Sequence, residues 1–276
     1  MSLARALQKI SALVLAAAVF AAPALAQQDG KPADALRPKL DVIFVPTPQP
    51  AVDMMLDMAK LTPQDFLIDL GSGDGRIAIT ARQRGARALG VDLDPQRIAE
   101  AKANLDKAGV GDRVRFLQRD LFKTDLSKAT VITMYLLPSL NLKLRPTLLR
   151  LKPGTRLVSH DFTMGGWKED RFEVVEGRDL YHWVVPARVA GRWSLRAGGR
   201  GMTLRLEQKF QEITGTLRVD GRTLPLRDAK ISGAGISFAV ETRGGATTFA
   251  GTVDGRAMTG TAKRGGRESR WSARRR

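Results

Sequence analysis

Apolar residues in the middle of the chain form short runs of strand length, and these alternate with stretches of helical spacing. Because strands joined by helices favour parallel pairing, this alternation predicts an α/β fold with a mainly parallel sheet. The predicted strands are 66–70, 88–92, 114–117, 130–135, 156–159, 172–175 and 181–185. One predicted helix begins at Pro50, and three further helices are predicted over 76–84, 95–108 and 140–151.

From Gly191 onward the helical periodicity disappears, and short alternating segments recur between Gly-rich turns. About eight strands of this kind in the last part of the chain are typical of an antiparallel barrel or sandwich. The sequence therefore predicts two folded parts, a Rossmann-like domain over 50–190 and an all-β domain over 191–276.

The first 49 residues have the composition of an export signal followed by an extended segment. Arg5 and Lys9 precede an apolar run over 10–22, and Ala24-Leu25-Ala26 supplies the small residues of a cleavage site. We expect a signal peptide over 1–26 and a Pro-rich lead-in over 27–49. The expected location is the periplasm or the outer face of the inner membrane. An uncleaved anchor is the alternative, although the run is shorter than the ~20 residues of a spanning helix.

Composition excludes several kinds of site. The chain has no cysteine, so it has no disulfide partner and no thiolate metal ligand, and two histidines disfavour a His-rich zinc site. Its net charge is +17, and residues 191–276 hold 18 Lys and Arg against seven Asp and Glu. The basic domain therefore indicates an anionic partner or envelope surface, with nucleic acid not excluded, unless it is a solvated face.

A glycine loop carries the clearest chemical signal. Asp69, Gly71, Gly73, Asp74 and Gly75 follow a predicted strand and precede a predicted helix. Glycines allow a tight turn and let a ligand approach the backbone closely. The Gly-x-Gly-x-Gly spacing differs from the Gly-x-Gly-x-x-Gly of dinucleotide-binding folds, and no Gly-Lys-Ser/Thr follows, which disfavours NAD and a P-loop.

Two more carboxylates follow the next predicted strands. Asp92 could accept hydrogen bonds from both ribose hydroxyls, and Asp120 could accept one from an adenine amino group. A cofactor with a ribose, an adenine and a cationic sulfonium, but no phosphate, suits such carboxylates, and S-adenosylmethionine meets this description. The alternative is that Asp92 and Asp120 only cap helices or turns.

Four segments resemble class I S-adenosylmethionine-dependent methyltransferases, and more narrowly one lysine methyltransferase family. Its mitochondrial members modify the adenine nucleotide translocase and the ATP synthase c-subunit. The resemblance covers about residues 41–186. It rests on Phe44-Val45-Pro46-Thr47-Pro48, Asp69-Leu70-Gly71-Ser72-Gly73-Asp74-Gly75-Arg76-Ile77, Asp120-Leu121-Phe122-Lys123 and Tyr135-Leu136-Leu137-Pro138-Ser139, where relatives tend to carry Phe-Leu-Ala-Pro-Ser.

This resemblance implies a set of roles. The glycine loop with Asp69, Asp74 and Gly75 would hold the methionine portion, Asp92 the ribose, and Asp120 with Leu121 the adenine. Pro46 and Thr47 would form part of a lid over the cofactor. The segment from Tyr135 to Pro138 would face the acceptor amine.

The chemistry itself adds two candidates. Tyr135 could orient the amine, and His160 with Asp161 could assist removal of its proton. We expect a methyltransferase with a protein lysine as acceptor. The alternatives are a small-molecule methyltransferase and an exported, non-catalytic binding protein.

The predicted processing has a direct test. If residues 1–26 are removed after export, the mature chain begins at Gln27, and intact-mass analysis of protein recovered from cells will show this N-terminus. A mass that retains residues 1–26 would support the anchor instead.

Overall fold

The computed structural model describes residues 44–242 and 244–276. The predicted signal peptide over 1–26 and the lead-in up to residue 43 lie outside the described residues. In the described part of the chain, no helix combines the length and apolar character needed to cross a membrane.

Seven strands and four helices form the first part of the structure. The strands are β1 (Phe66–Leu70), β2 (Arg87–Asp92), β3 (Val114–Gln118), β4 (Val131–Met134), β5 (Arg156–His160), β6 (Arg171–Val175) and β7 (Arg178–Val184). The helices are α1 (Gln49–Met58), α2 (Arg76–Gln83), α3 (Pro95–Ala108) and α4 (Pro138–Leu148).

These strands form one sheet in the order β3-β2-β1-β4-β5-β7-β6. Strands β1 to β5 pair in parallel, whereas β7 is antiparallel to both β5 and β6. The predicted methyltransferase-like α/β fold is confirmed. Because β1 lies centrally and the strand order reverses there, the loops after β1, β2 and β4 meet at one edge of the sheet, where ligands bind in such folds.

Two element boundaries differ from the predictions in a way that affects this edge. Strand β4 ends at Met134, so Tyr135 lies in the loop after the strand and not within it. Helix α4 begins at Pro138, since proline suits the first position of a helix, where its missing N–H has no partner to lose. Tyr135, Leu136 and Leu137 are thus a short connection between β4 and α4.

Buried apolar side chains cover both faces of this sheet. On one face, α1 contributes Val52, Met55 and Leu56 to a cluster with α2 and α3. On the other, Leu144 and Leu148 of α4 pack with Ile132. A parallel sheet is buried in this way on both faces, which fixes the strands and leaves their carboxyl ends for binding.

Residues 191–276 form a separate, antiparallel sheet of nine strands. They are β8 (Gly191–Ala197), β9 (Arg200–Lys209), β10 (Glu212–Val219), β11 (Arg222–Pro225), β12 (Arg227–Ser232), β13 (Gly235–Thr242), β14 (Gly245–Asp254), β15 (Ala257–Arg264) and β16 (Arg267–Arg275). Pairing of β8 with both β9 and β16, and of β10 with both β9 and β12, closes eight of them into a barrel. Strand β11 pairs only with β10. The sequence predicted either a barrel or a sandwich for this part, and the structure shows the barrel.

Facing glycines allow the barrel to bend tightly around its apolar interior. Gly251 and Gly260 are directly paired across β14 and β15. A Cβ on Gly260 would lie 2.0 Å from the carbonyl oxygen of Ala250, and one on Gly251 would lie 2.7 Å from the Trp271 ring. The indole of Trp271 fills the space beside Gly251, as expected where a sheet is strongly curved.

The two sheets are in contact. Phe210, in the turn between β9 and β10, stacks on Trp167 with ring centroids 5.9 Å apart. The Gln208 side chain donates to the carbonyl of Ala187 and accepts from the N–H of Val189 in the connection between the sheets. The first barrel strand begins at Gly191, the predicted boundary, but the division into domains stays a prediction. Trp167 itself is fully buried in packing contacts.

Candidate active site

The turn after β1 is built from glycines with left-handed backbone conformations. Gly71, Gly73 and Gly75 have φ values of 76°, 50° and 83°. The N–H groups of Gly71 and Ser72 both donate to the carbonyl of Val91, at 2.9 and 3.0 Å, which fastens the turn to β2. A Cβ at Gly73 would lie 2.1 Å from the Phe44 ring, so a side chain there would have to displace this exposed ring.

A cavity of about 810 Å³ lies beside this turn, at the carboxyl ends of the parallel strands. Its volume is in the range of small-molecule and cofactor sites. Eight of the predicted site residues line it, namely Pro46, Thr47, Asp69, Gly71, Asp74, Asp92, Leu121 and Tyr135. The structure therefore brings together residues that span nearly 90 positions of sequence.

Five predicted site residues are outside the cavity lining. Gly73 and Gly75 belong to the turn but do not line the cavity. Asp120 accepts a hydrogen bond from the N–H of Phe122 as the cap of a short 3-10 helix. Pro138 is exposed at the start of α4, and His160 is buried at the end of β5. The proposed contact of Asp120 with adenine stays a prediction; capping is what the structure shows for its carboxylate.

Asp92 is held in place by two backbone donors. Its Oδ2 accepts from the N–H of Gly73 and its Oδ1 from the N–H of Asp94, both at 2.9 Å. Each carboxylate oxygen has a second lone pair available to the cavity. Asp92 therefore does cap a turn, as the alternative from the sequence proposed. Because it also lines the cavity, it can accept hydrogen bonds from hydroxyl groups of a ligand as well.

Asp69 is a buried carboxyl group, with 2% of its surface exposed. Burial raises its pKa to about 7, the hydrogen bond from Thr133 opposes this, and the nearby carboxylates of Asp92 and Asp74 raise the pKa further. The Thr133 hydroxyl donates to Asp69 Oδ1 at 2.8 Å. A buried carboxylate near other carboxylates is a favourable place for a cationic ligand, because the ligand supplies the missing positive charge.

Arg76 joins the lead-in segment to the glycine turn, a role that sequence reasoning missed. Its guanidinium forms a forked contact with the Asp74 carboxylate, with Nη2 2.5 Å from Oδ2, and its Nη1 donates to the carbonyl of Thr47 at 2.9 Å. Nearby, the Phe44 ring lies over Gly73 and 4.8 Å from the Arg97 guanidinium carbon. Residues 44–47 therefore line the cavity, and their role as a lid stays a prediction.

A polar network lies at the other end of the cavity. The Tyr135 hydroxyl donates to Asp161 Oδ2 at 3.0 Å, and the N–H of Asp179 donates to Asp161 Oδ1 at 3.2 Å. Arg178 Nη1 lies 3.5 Å from the same Oδ2. Burial raises the pKa of Tyr135, and its hydrogen bond to Asp161 does so too. Asp161 is thus the centre of this network.

His160 connects the network to the lid instead of facing the cavity. Its Nδ1 is hydrogen-bonded to the Thr47 hydroxyl at 2.9 Å, and its Nε2 lies 3.5 Å from Asp161 Oδ2. The Tyr135 ring packs against the imidazole with centroids 3.9 Å apart. Burial lowers the pKa of His160, with the neighbouring Asp161 opposing and Arg178 adding to this effect. These contacts describe a neutral, positioning imidazole, and the predicted catalytic role of His160 stays a prediction.

Comparison with known proteins identifies the fold and the family. The model of the ANTKMT methyltransferase domain matches residues 69–171. A protein-lysine N-methyltransferase of Saccharolobus islandicus (strain REY15A) is 44% identical over 146 residues, which are 52% of this chain and 91% of that protein. An adenine nucleotide translocase lysine N-methyltransferase of Mus musculus is 33% identical over 132 residues, 47% of this chain and 57% of that protein.

A solved structure agrees with these relatives. The crystal structure of an RNA methyltransferase from Salinibacter ruber with S-adenosyl-L-homocysteine has 53% sequence identity and a TM-score of 0.51, and the match covers 52% of this chain and 96% of that one. These matches confirm the predicted cofactor class. The chain belongs to the family of the ANTKMT methyltransferase domain and is an S-adenosylmethionine-dependent methyltransferase.

Proposed function

We propose that this enzyme N-methylates a lysine side chain of a protein acceptor. The observation that carries the proposal is the pairing of the Tyr135 hydroxyl with Asp161 at a cavity end that is otherwise apolar. Leu137, Leu140 and Phe162 line this end of the cavity. A long aliphatic side chain that terminates in an amine matches such a lining, and the named activities of the Saccharolobus islandicus and Mus musculus relatives support this choice.

The residues around the glycine turn fit the cofactor. The turn has a left-handed backbone at Gly73 with the Phe44 ring against it, Asp92 offers fixed carboxylate lone pairs, and Asp69 offers a buried group that gains from a neighbouring cation. We propose that Asp69 with Asp74 faces the charged methionine portion and that Asp92 holds the ribose. When bound, S-adenosylmethionine supplies an electrophilic methyl group.

The remaining task of the protein is to present a neutral amine and to exclude water. A lysine ammonium has no lone pair, so it must lose a proton before it can accept a methyl group. Tyr135 Oη holds the amine, and Asp161 Oδ2 lies within a hydrogen bond of Tyr135 to receive the proton. The apolar lining favours the uncharged amine, because removal from water costs the charged ammonium more free energy than the neutral amine. Positioning and desolvation of this kind supply much of the rate in methyl transfer.

RNA is a second candidate acceptor. The solved structure at 53% identity is described as an RNA methyltransferase, and the barrel of this chain is strongly basic. A base amine would use the same cavity end, with Phe162 and Tyr135 as the aromatic surfaces against which it could stack.

We further propose that the protein is exported, on the strength of the residue pattern over 1–26. This location would place its acceptor in the cell envelope. The proposal about the acceptor does not depend on it, since the cavity is the same in either compartment.

The acceptor class can be identified by measuring whether labelled methyl groups are transferred to protein or to RNA. Purified enzyme with methyl-labelled S-adenosylmethionine is incubated with envelope protein and, separately, with total RNA from the same cells. We expect label that protease releases and ribonuclease does not, and hydrolysis that yields Nε-methyl-lysine. Label released only by ribonuclease would establish the RNA alternative, and label in neither fraction would contradict both.

Asp69 predicts a proton-linked binding step. A cation beside the carboxylate lowers its pKa below about 7, so cofactor binding releases a proton at pH 6, and affinity rises with pH up to about ten-fold per unit until it levels off above pH 7. Without ligand, the raised pKa stabilises the folded chain at acidic pH, and this stabilisation is lost as pH rises through about 7. Calorimetry in two buffers of different ionisation enthalpy measures the proton, and Asp69→Asn should remove it. A wild-type affinity that does not change between pH 6 and 8 would contradict the assignment.

The proposed role of Tyr135 separates turnover from cofactor affinity. Tyr135→Phe removes the hydroxyl and should lower kcat about ten-fold or more, the value of a hydrogen bond to a charged group, with cofactor affinity unchanged. The deficit should shrink as pH approaches the lysine pKa of about 10.4, because free amine then becomes abundant. Tyr181→Phe is the matched control, since that hydroxyl donates to Asp179 outside the cavity lining. Equal turnover in both variants would remove Tyr135 from the mechanism.

A further inference from the structure

The same five-residue pattern occurs at both ends of the barrel sequence. Arg192-Trp193-Ser194-Leu195-Arg196 lies in β8, and Arg270-Trp271-Ser272-Ala273-Arg274 lies in β16. The two strands are antiparallel neighbours that close the barrel. The pairing centres on Leu195 opposite Ala273, so the two patterns are related by an approximate two-fold axis.

Alternation along a strand separates the pattern into an inner and an outer set. Trp193 and Trp271 are buried in the barrel, at 0% and 2% exposure. The alternate positions of the two strands face outward, and among them Ser272 is opposite Arg196 and Ser194 is opposite Arg274. We name this outer set, Arg192, Ser194, Arg196, Arg270, Ser272 and Arg274, the arginine–serine face.

Within the part of the chain that the structure describes, the four arginines of this face have no acidic partner. In the described ranges 44–242 and 244–276, none of them forms an ion pair, and all four are exposed. On the next strand, Arg205 is directly opposite Arg192, a like-charge pair that lowers stability unless an anion bridges it. By contrast, β13 and β14 carry no Arg or Lys at all. The positive charge is therefore concentrated on one side of the barrel.

The face has the donors that phosphate groups require. A guanidinium presents a rigid fork that matches phosphate oxygens, and hydroxyls between the forks add further donors. Arg276 Nε donates to Ser194 Oγ at 2.7 Å, which leaves the Ser194 hydroxyl proton free to donate outward. At one edge, Arg196, Arg270 and Ser272 line a depression of about 700 Å³ together with Thr259 and Thr261.

We propose that the arginine–serine face docks the enzyme on an anionic phospholipid surface. The face carries no outward apolar or aromatic side chain, so it offers neither stacking for unpaired bases nor insertion into acyl chains. Contact with phosphate groups by charge and hydrogen bonds is what remains, and the proposed location beside a membrane favours lipid headgroups as their source. The proposal rests on the proposed location, because a signal peptide and an uncleaved anchor both place the chain beside a bilayer. It does not depend on the identity of the methyl acceptor.

The test uses the full chain and vesicles of phosphatidylcholine with or without phosphatidylglycerol, at about 0.1 M salt, where surface charges are only partly screened. We compare Arg196→Gln/Arg274→Gln with the matched control Arg222→Gln/Arg227→Gln, two exposed arginines on β11 and β12 with the same loss of charge. The gain in binding from phosphatidylglycerol should fall about 25-fold in the first variant, roughly five-fold per arginine, and by far less in the control. Any binding by the apolar N-terminal segment is common to all variants and cancels in this comparison.

Three outcomes would overturn the proposal. They are equal losses in the two variants, no gain from phosphatidylglycerol, and binding of duplex RNA that the first variant loses while vesicle binding is absent. Cofactor affinity, measured on the same preparations, should be unchanged in both variants. A loss of cofactor binding would instead indicate damage to the fold. In that case Arg196→Lys/Arg274→Lys, which keeps the charge, decides the question: retained vesicle binding supports the proposal, and lost vesicle binding contradicts it.

Discussion

The backbone of the turn after β1 is left-handed at three positions, which favours glycine there, and much of the cavity is arranged around this constraint. The left-handed turn directs two N–H groups onto the carbonyl of Val91, which fixes the distance between β1 and β2. It also directs the N–H of Gly73 to Asp92, so that this carboxylate is oriented before any ligand arrives. The Phe44 ring occupies the space that a Cβ would need. A single backbone conformation thus orders the turn and a carboxylate, with the Phe44 ring packed against them.

The lid and the acceptor end of the cavity are joined by hydrogen bonds. Arg76 holds the carbonyl of Thr47, and the Thr47 hydroxyl is bonded to His160. His160 packs against Tyr135, whose hydroxyl is bonded to Asp161. Thr47 is therefore linked by direct contacts to Tyr135 and Asp161, the groups proposed to face the amine. This arrangement gives His160 a reason to be buried and neutral without contact with the substrate.

Local signals predicted the strands, the helices and the glycine turn, because each depends on residues that are close in sequence. Asp161 was named from the sequence as a partner of His160 in proton removal, but its contact with Tyr135 could not be predicted in the same way. Its partners Tyr135 and Asp179 are 26 and 18 residues away. Tyr135 reaches it through the pairing of β4 with β5, and Asp179 through the pairing of β5 with β7. Arg76 is similar, since its contact with Thr47 depends on where the lead-in lies. The pattern Arg-Trp-Ser-x-Arg was visible in the sequence, but its consequence required the closure of β8 on β16.

That closure also explains why packing and surface charge are linked in the barrel. A tryptophan in each closing strand fills the interior, and Trp271 does so against the paired glycines of β14 and β15. Since side chains alternate between the two faces, residues on either side of each tryptophan must face outward. Arginine at those positions therefore places positive charge on the outer face of the two strands whose tryptophans fill the interior. The strand pairing fixes the spacing of the arginine backbones, so binding to a surface of phosphates has to order only the side chains, whereas a basic tail would have to order its backbone as well.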